Sequence, residues 1–228
     1  MTLKKILMLD DGDINQTIEG IRTKLRRSSG IEIAVDKIDP QDTRFKSYVG
    51  DEQVIDFDKI KLEITEKYRD TRYDIVACDF SFSSETLNGY ELIRWIINDS
   101  RSRNFRFKNA KFVCYSGEEH KFREHIINNN ELVKLIRLNI HAFFKRDNLV
   151  DELSSLVKKI SDSYSATDYF RSLLEQEPDK EFKNIYPHFE GKTLGEIACE
   201  IEKDSHHGIK FQKYMADLTY AHILDLNE

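Results

Sequence analysis

Proline and glycine are scarce in this chain, three and nine among 228 residues. That excludes collagen-like chains and Gly/Pro-rich disordered ones. Cysteine is as sparse. Cys78, Cys114 and Cys199 form an odd set without metal-ligand spacing, and the expectation is free thiols in a reducing cytoplasm. Long apolar runs are missing too, since no stretch approaches the ~18 residues of a membrane span. The short run 6–9 that follows Lys4 and Lys5 leads straight into acids, which does not suit a signal-peptide core. A cytoplasmic protein with no membrane role is therefore expected. Nor is there a surplus of cations: 35 Lys/Arg face 41 Asp/Glu, a net charge of −6. A generic polyanion binder needs the opposite balance.

What is present is a pattern. Short apolar runs at 6–9, 73–78, 112–115 and 142–144, and an alternating apolar–polar stretch at 31–38, read as strands. Between them lie amphipathic stretches, such as Ile14, Ile18, Ile21 and Leu25, whose spacing puts one apolar stripe on a helix,. Asp13 and Gln16 suit a capping box at its start,. Further helices are expected at 58–68 and 89–98, and along Leu149, Leu153, Leu156 and Ile160. Short strands buried on both faces and alternating with helices predict an α/β fold, a doubly wound five-stranded parallel sheet. This domain spans 1–160, with an insertion at about 39–57. Residues 161–228 read as an all-helical extension, marked by a Thr193/Glu196 capping box and by stripes through Leu194, Ile197 and Ile201 and through Phe211, Met215 and Leu218. The extension holds 14 acids against 7 Lys/Arg, whereas the first 160 residues are nearly neutral.

Four polar sites fall at the C-terminal ends of the strand-like runs: Asp10-Asp11, Asp79, Ser116 and Lys145. Any one alone is an ordinary cap or turn residue. Together, on a parallel sheet, they converge at the edge where open α/β sheets bind ligands. Three crowded carboxylates call for a divalent cation, and all-oxygen ligands favour Mg²⁺. A lysine and a serine hydroxyl beside them could stabilise a phosphoryl group, with Asp79 as carboxylate nucleophile.

The segments K-K-I-L-M-L-D-D, Y-D-I-V-A-C-D-F-S with N-G-Y-E-L-I, K-F-V-C-Y-S-G and A-F-F-K-R-D resemble the signature segments of receiver domains of two-component response regulators. The resemblance covers roughly residues 3–160 and implies a flavodoxin-like receiver fold that takes a phosphoryl group from a histidine kinase or phosphotransfer protein. On that match Asp79 is the phosphoacceptor, Asp11 the direct Mg²⁺ ligand and Asp10 its partner, which orders metal-bound water. The backbone carbonyl of Ser81 is a further metal ligand, Ser116 the switch hydroxyl and Lys145 the cation that pairs with the phosphoryl group. The chain departs from the family's pattern at several points. Gly12 stands where an acid often follows the aspartate pair, and the acceptor loop 80–88 is longer and lacks proline. Arg146 replaces the proline, often cis, that commonly follows the lysine, a geometry costly without proline. Ala142 stands three residues before Lys145, at the usual place of the switch aromatic, with Phe143 and Phe144 beside it.

Other readings fit less well. Asp11-Gly12-Asp13 imitates the nucleophile motif of haloacid-dehalogenase-type phosphatases, but Lys145 comes last and no acidic strand end follows it. The protein is thus expected to be a phosphoacceptor rather than an enzyme. Cys78 and Cys114 read as buried, inert thiols, and His206-His207 as an interhelical turn before Gly208. The basic clusters 24–27 and 101–103 suit helix ends,. A DNA-binding output would bring a basic recognition helix, which the acidic extension lacks, so nucleic acid is disfavoured. The expected partners of the extension are the receiver itself, a second copy in a homodimer, or a downstream protein. A degenerate receiver that acts only as a binding scaffold is the main alternative, motivated by Arg146, Ala142 and the acceptor loop.

Overall fold

Strand β1 (Leu3–Leu9) sends Ile6 and Met8 into one core and Leu7 and Leu9 into the other, all four fully buried. A strand with two buried faces needs helices on both sides, and the computed structural model supplies them. It describes residues 3–82, 88–163, 165–183 and 186–227. Helix α1 (Asn15–Ser29) follows β1 and buries Ile18, Ile21 and Leu25. It starts with Ile14 as its N-cap, and Asp13 accepts only from the Asn15 N–H at 3.0 Å. The expected Asp13–Gln16 capping box is therefore not formed, because the helix begins a residue too late for it. Arg26 and Arg27 lie in the last turn, and Gly30 closes the helix at φ 63°, a left-handed cap that glycine adopts without strain.

Next come β2 (Glu32–Ile38) and then an antiparallel ribbon of β3 (Lys46–Val49) and β4 (Glu52–Ile55). The ribbon lies within the stretch read as an insertion. Helix α2 (Phe57–Glu63) is N-capped by Asp56 and runs into a π-helical turn, Ile64–Tyr68. The chain continues through β5 (Ile75–Asp79), α3 (Gly89–Ser102) and β6 (Lys111–Ser116). Two short helices follow, α4 (Glu119–Asn128) and α5 (Leu132–Leu138), separated at Asn130 with φ 52°. Strand β7 (Ala142–Lys145) and α6 (Leu149–Asp162) complete the domain.

The main sheet has the order β2-β1-β5-β6-β7, and every pairing in it is parallel. This is the doubly wound arrangement of flavodoxin-like and receiver-type folds, as the resemblance implies. One face packs on α1 and α6, the other on Ile60 and Ile64, Tyr90 to Ile97, Ile126 and Leu138. Strand order reverses between β1 and β5, so the C-terminal ends of those two strands border the sheet's switch-point crevice.

The chain divides into two compact units, Met1–Asp162 and Ser163–Glu228. The second contains α7 (Ala166–Leu174), α8 (Leu194–Glu202) and α9 (His206–Asp225) around Phe189, Ile197, Ile201 and Phe211. The Thr193/Glu196 capping box is formed in both directions. Thr193→Ala is expected to destabilise α8 by about 1 kcal/mol, read as faster amide exchange along α8 with exchange of the β1–β5 core unchanged. His206 and His207 form the first turn of α9 rather than an interhelical turn, because Ser205 caps the helix just before them. No described helix is long and apolar enough to cross a membrane.

Candidate functional site

Asp10 and Asp11 follow β1, and Asp79 ends β5, so the switch point brings them together. One ligand atom from each lies within 4.8 Å of the others, and among the described residues no other group of three or more His, Cys, Asp or Glu side chains meets in this way. Asp10 is 0% exposed and Asp79 3%. Asp10 is held from three sides. Its Oδ1 accepts the Gly12 N–H at 2.7 Å, and its Oδ2 accepts the Tyr115 hydroxyl at 2.6 Å and Arg146 Nη2 at 2.8 Å. Asp79 Oδ2 accepts the same Nη2 at 2.5 Å, and its Oδ1 lies 3.4 Å from the Ser81 N–H. Burial pushes the Asp79 carboxyl up to about 6, with Asp10 adding to the rise and Arg146 opposing it. Burial works against the charge on Arg146, but the two carboxylates outweigh it and raise its pKa above the ordinary value. Burial and Asp10 likewise drive the Tyr115 hydroxyl far up, so it serves Asp10 as a fixed neutral donor.

Ser116, at the end of β6, is 1% exposed. Its hydroxyl lies 3.2 Å from that of Ser81 and accepts the Glu118 N–H at 2.9 Å. The structure therefore assembles Asp10, Asp11, Asp79, Ser81 and Ser116 at one edge. Of the acceptor loop, residues 83–87 lie outside the described residues.

Lys145 is placed elsewhere. Its ammonium pairs with Glu119 at 2.9 Å, and its side chain is 65% exposed. Strand parity explains this. Phe143 stacks on Phe122 at 4.2 Å on the α4 side, while Phe144 packs on the opposite core. Two residues on from Phe143, Lys145 faces the α4 side again. Arg146 opens a 3-10 turn, Arg146–Asn148, and returns to the acids. All described peptide bonds are trans. The cation among the acids is thus Arg146, a residue singled out in the sequence only as a missing proline. Phe143 stands three residues before it, so the aromatic-to-cation spacing implied by the resemblance reappears one residue along the chain. Gly12 fits the same displacement, since a Cβ there would lie 3.1 Å from Asp10 Oδ1 and 3.4 Å from Arg146 Nη1. A side chain at position 12 would thus press on the Asp10 carboxylate first. Lys37 adds a second cation nearby, donating to the Gly12 carbonyl at 2.7 Å.

Tyr115 and Arg146 were not legible as site residues. The one available signal for Tyr115 was a tyrosine inside an apolar strand, whose hydroxyl needs a buried partner.

The donor set suits a hard divalent cation: carboxylates, hydroxyls and backbone groups without thiol or imidazole. Asp10, Asp11 and Asp79 would hold it, and it would neutralise charge gathering on a phosphoryl group.

No family model matches the chain, and no curated protein matches it. Several solved structures are similar. A LuxR-family DNA-binding response regulator from Staphylococcus aureus shares 14% identity, with 70% of this chain and 99% of that chain covered and a TM-score of 0.37. The RcsB response regulator from Salmonella typhimurium shares 13% identity over 95% of this chain and 99% of that chain, with a TM-score of 0.39. A chain from the complex of the CheA3 P1 domain with CheY6 from R. sphaeroides shares 11%, covering 72% of this chain and all of that one, with a TM-score of 0.34. These likenesses in shape are loose, and the strand order and register above carry the fold assignment.

Proposed function

We propose that this chain is a receiver-type signalling protein that accepts a phosphoryl group on Asp79. The observation that carries the reading is the meeting of Asp10, Asp11 and Asp79 at the switch point, with a buried hydroxyl, Ser116, and a guanidinium, Arg146, beside them. A carboxylate oxygen of Asp79 attacks phosphorus, the bond from phosphorus to the donor's leaving group breaks, and the product is an acyl phosphate. Ser116 offers a hydroxyl proton to a phosphoryl oxygen, and Arg146 a planar pair of donors that fits two of them. Mg²⁺, when bound, offsets charge on the phosphoryl oxygens. The donor is a histidine kinase or phosphotransfer protein in the cytoplasm. The acidic second unit supports an output through protein contacts rather than DNA.

Incubation with Mg²⁺ and acetyl phosphate is expected to add one phosphoryl group to the wild type and none to Asp79→Asn, read by intact-mass spectrometry. An unmodified wild type, or an equal adduct on the variant, overturns the reading. Arg146→Ala is expected to slow the reaction about tenfold or more and Lys145→Ala much less, because only the first side chain stands among the acids,. The reverse order would return the phosphoryl-binding role to Lys145.

The scaffold reading has one observation of its own, the same ion pairs, which already compensate the buried acids. It requires that Mg²⁺ at millimolar concentration leave the protein's melting temperature unchanged.

A further inference from the structure

One guanidinium nitrogen spans both buried carboxylates. Arg146 Nη2 lies 2.8 Å from Asp10 Oδ2 and 2.5 Å from Asp79 Oδ2. The other Asp10 oxygen, Oδ1, is already engaged by the Gly12 N–H at 2.7 Å. A Mg²⁺ ion takes its oxygens at about 2.0–2.1 Å in an octahedral shell. An ion that close to both Oδ2 atoms would stand against Nη2, where like charge and overlap forbid it. An ion seated instead on Asp11 and on Asp79 Oδ1, which lies 3.4 Å from the Ser81 N–H, avoids that overlap but still faces a like charge across the Asp79 carboxylate,.

We infer that Arg146 is a built-in competitor for the divalent-cation position, so that guanidinium and metal take turns as the counter-ion of the Asp10–Asp79 pair. Three features support an exchange rather than a fixed lock. Arg146 sits in a single 3-10 turn between β7 and α6, not inside either element. Its side chain is 36% exposed, which leaves it a route to solvent. Its guanidinium carbon also lies 5.6 Å from the centre of the Tyr115 ring, on whose face a cation can rest,. Lys37 is not the competitor, since it donates to the Gly12 carbonyl and pairs with Asp39 at 3.8 Å.

The exchange couples two events. A dication that takes Asp10 and Asp79 frees a planar five-donor fork at the mouth of the site, matched to two oxygens of an incoming phosphoryl group. Without metal, Nη2 of that fork is held by the acids. The cation would thus prime the site and fill it in one step.

The inference rests on reading this edge as a cation site, but not on phosphorylation of Asp79, so its test omits any phosphodonor. Isothermal titration of the full chain with Mg²⁺ compares wild type, Arg146→Gln and Lys145→Gln. Arg146→Gln is expected to bind Mg²⁺ about tenfold more tightly than wild type, because a competing positive charge has left the two carboxylates. Lys145→Gln should stay within about twofold, as an exposed charge is largely screened. Equal or weaker binding by Arg146→Gln, an equal gain in Lys145→Gln, or no Mg²⁺ binding by any of the three overturns the inference. Should Arg146→Gln fail to fold without metal, the wild type decides. Its Arg146 Nε–H resonance should shift with the midpoint of the Mg²⁺ titration, and a resonance that stays put at saturation overturns the proposal. If the metal data are as expected while Asp79 takes no phosphoryl group, the competition stands and the phosphoacceptor reading falls.

Discussion

Gly89→Ala is expected to cost about 4 kcal/mol or more, in the range reserved for changes the backbone cannot absorb. Gly89 opens α3, and its N–H donates to the Phe80 carbonyl at 2.9 Å. A Cβ there would fall 1.6 Å from the Asp79 carbonyl oxygen and 2.6 Å from its carbon. Neither side can yield easily. Strand β5 is paired with β1 on one side and β6 on the other, and α3 buries Tyr90, Leu92, Ile93, Ile96 and Ile97 along its length. A shift that relieved the clash would either unpair the central strand or lift that helix from its core. Urea unfolding should show a much lower midpoint, and on the proposed function any folded remainder should have lost phosphoryl acceptance, because the clash strikes the backbone of Asp79. Gly117→Ala is the control. A Cβ there meets nothing within 4 Å, and it should change stability by no more than about 0.5 kcal/mol.

Asp79→Asn should do the opposite in the absence of metal and make the protein more stable at neutral pH. The folded protein raises the Asp79 carboxyl from 3.8 to about 6, first through burial. A folded pKa above the unfolded one means that the folded state binds the proton more tightly. The stabilising contribution is full below about 3.8 and is lost as pH rises through about 6,. At about 1.4 kcal/mol per unit, keeping Asp79 charged at pH 7.5 costs about 3 kcal/mol, even with Arg146 against it. Asparagine removes that charge, and the gain should be somewhat smaller because Arg146 keeps only Asp10 as a partner. The wild type should therefore gain stability between pH 7.5 and pH 5 relative to Asp79→Asn. Saturating Mg²⁺ should narrow the difference between them at pH 7.5. Equal pH profiles for the two proteins would mean that burial does not strain this carboxylate.

Four strands of the main sheet are legible because a buried parallel strand is a plain apolar run, β2 shows as an alternating stretch, and each ends where a carboxylate, serine or lysine begins,. That arrangement made Asp10, Asp11, Asp79 and Ser116 legible together. The ribbon of β3 and β4 was not, since its residues are mostly polar or exposed, as with Tyr48 and Val49, and carry no core-facing stripe. Which cation stands beside the acids is not legible either, for a related reason. Strand β7 has four residues, too few for composition to reveal its parity, and both Lys145 and Arg146 are plausible by chemistry. Only the packing of Phe143 against Phe122 and of Phe144 on the other face decides which of the two turns inward. The break between α4 and α5 at Asn130 is equally silent, because asparagine enters a left-handed conformation without a glycine to announce it,.

The ion pairs of Arg146 also impose an order on the making of the protein. Asp10 and its guanidinium are 136 residues apart in sequence, and Asp79 and the same guanidinium are 67 apart. Chains are synthesised from the N-terminus, and the early part can collapse before the rest arrives. A β1–β5 pair formed early would therefore bring two carboxylates into proximity before their counter-ion has left the ribosome. During that interval the switch-point edge repels itself, and closure of the sheet awaits either β7 with Arg146 or a cation from the surrounding solution. A divalent cation bound there would then act on this chain first as an aid to its folding.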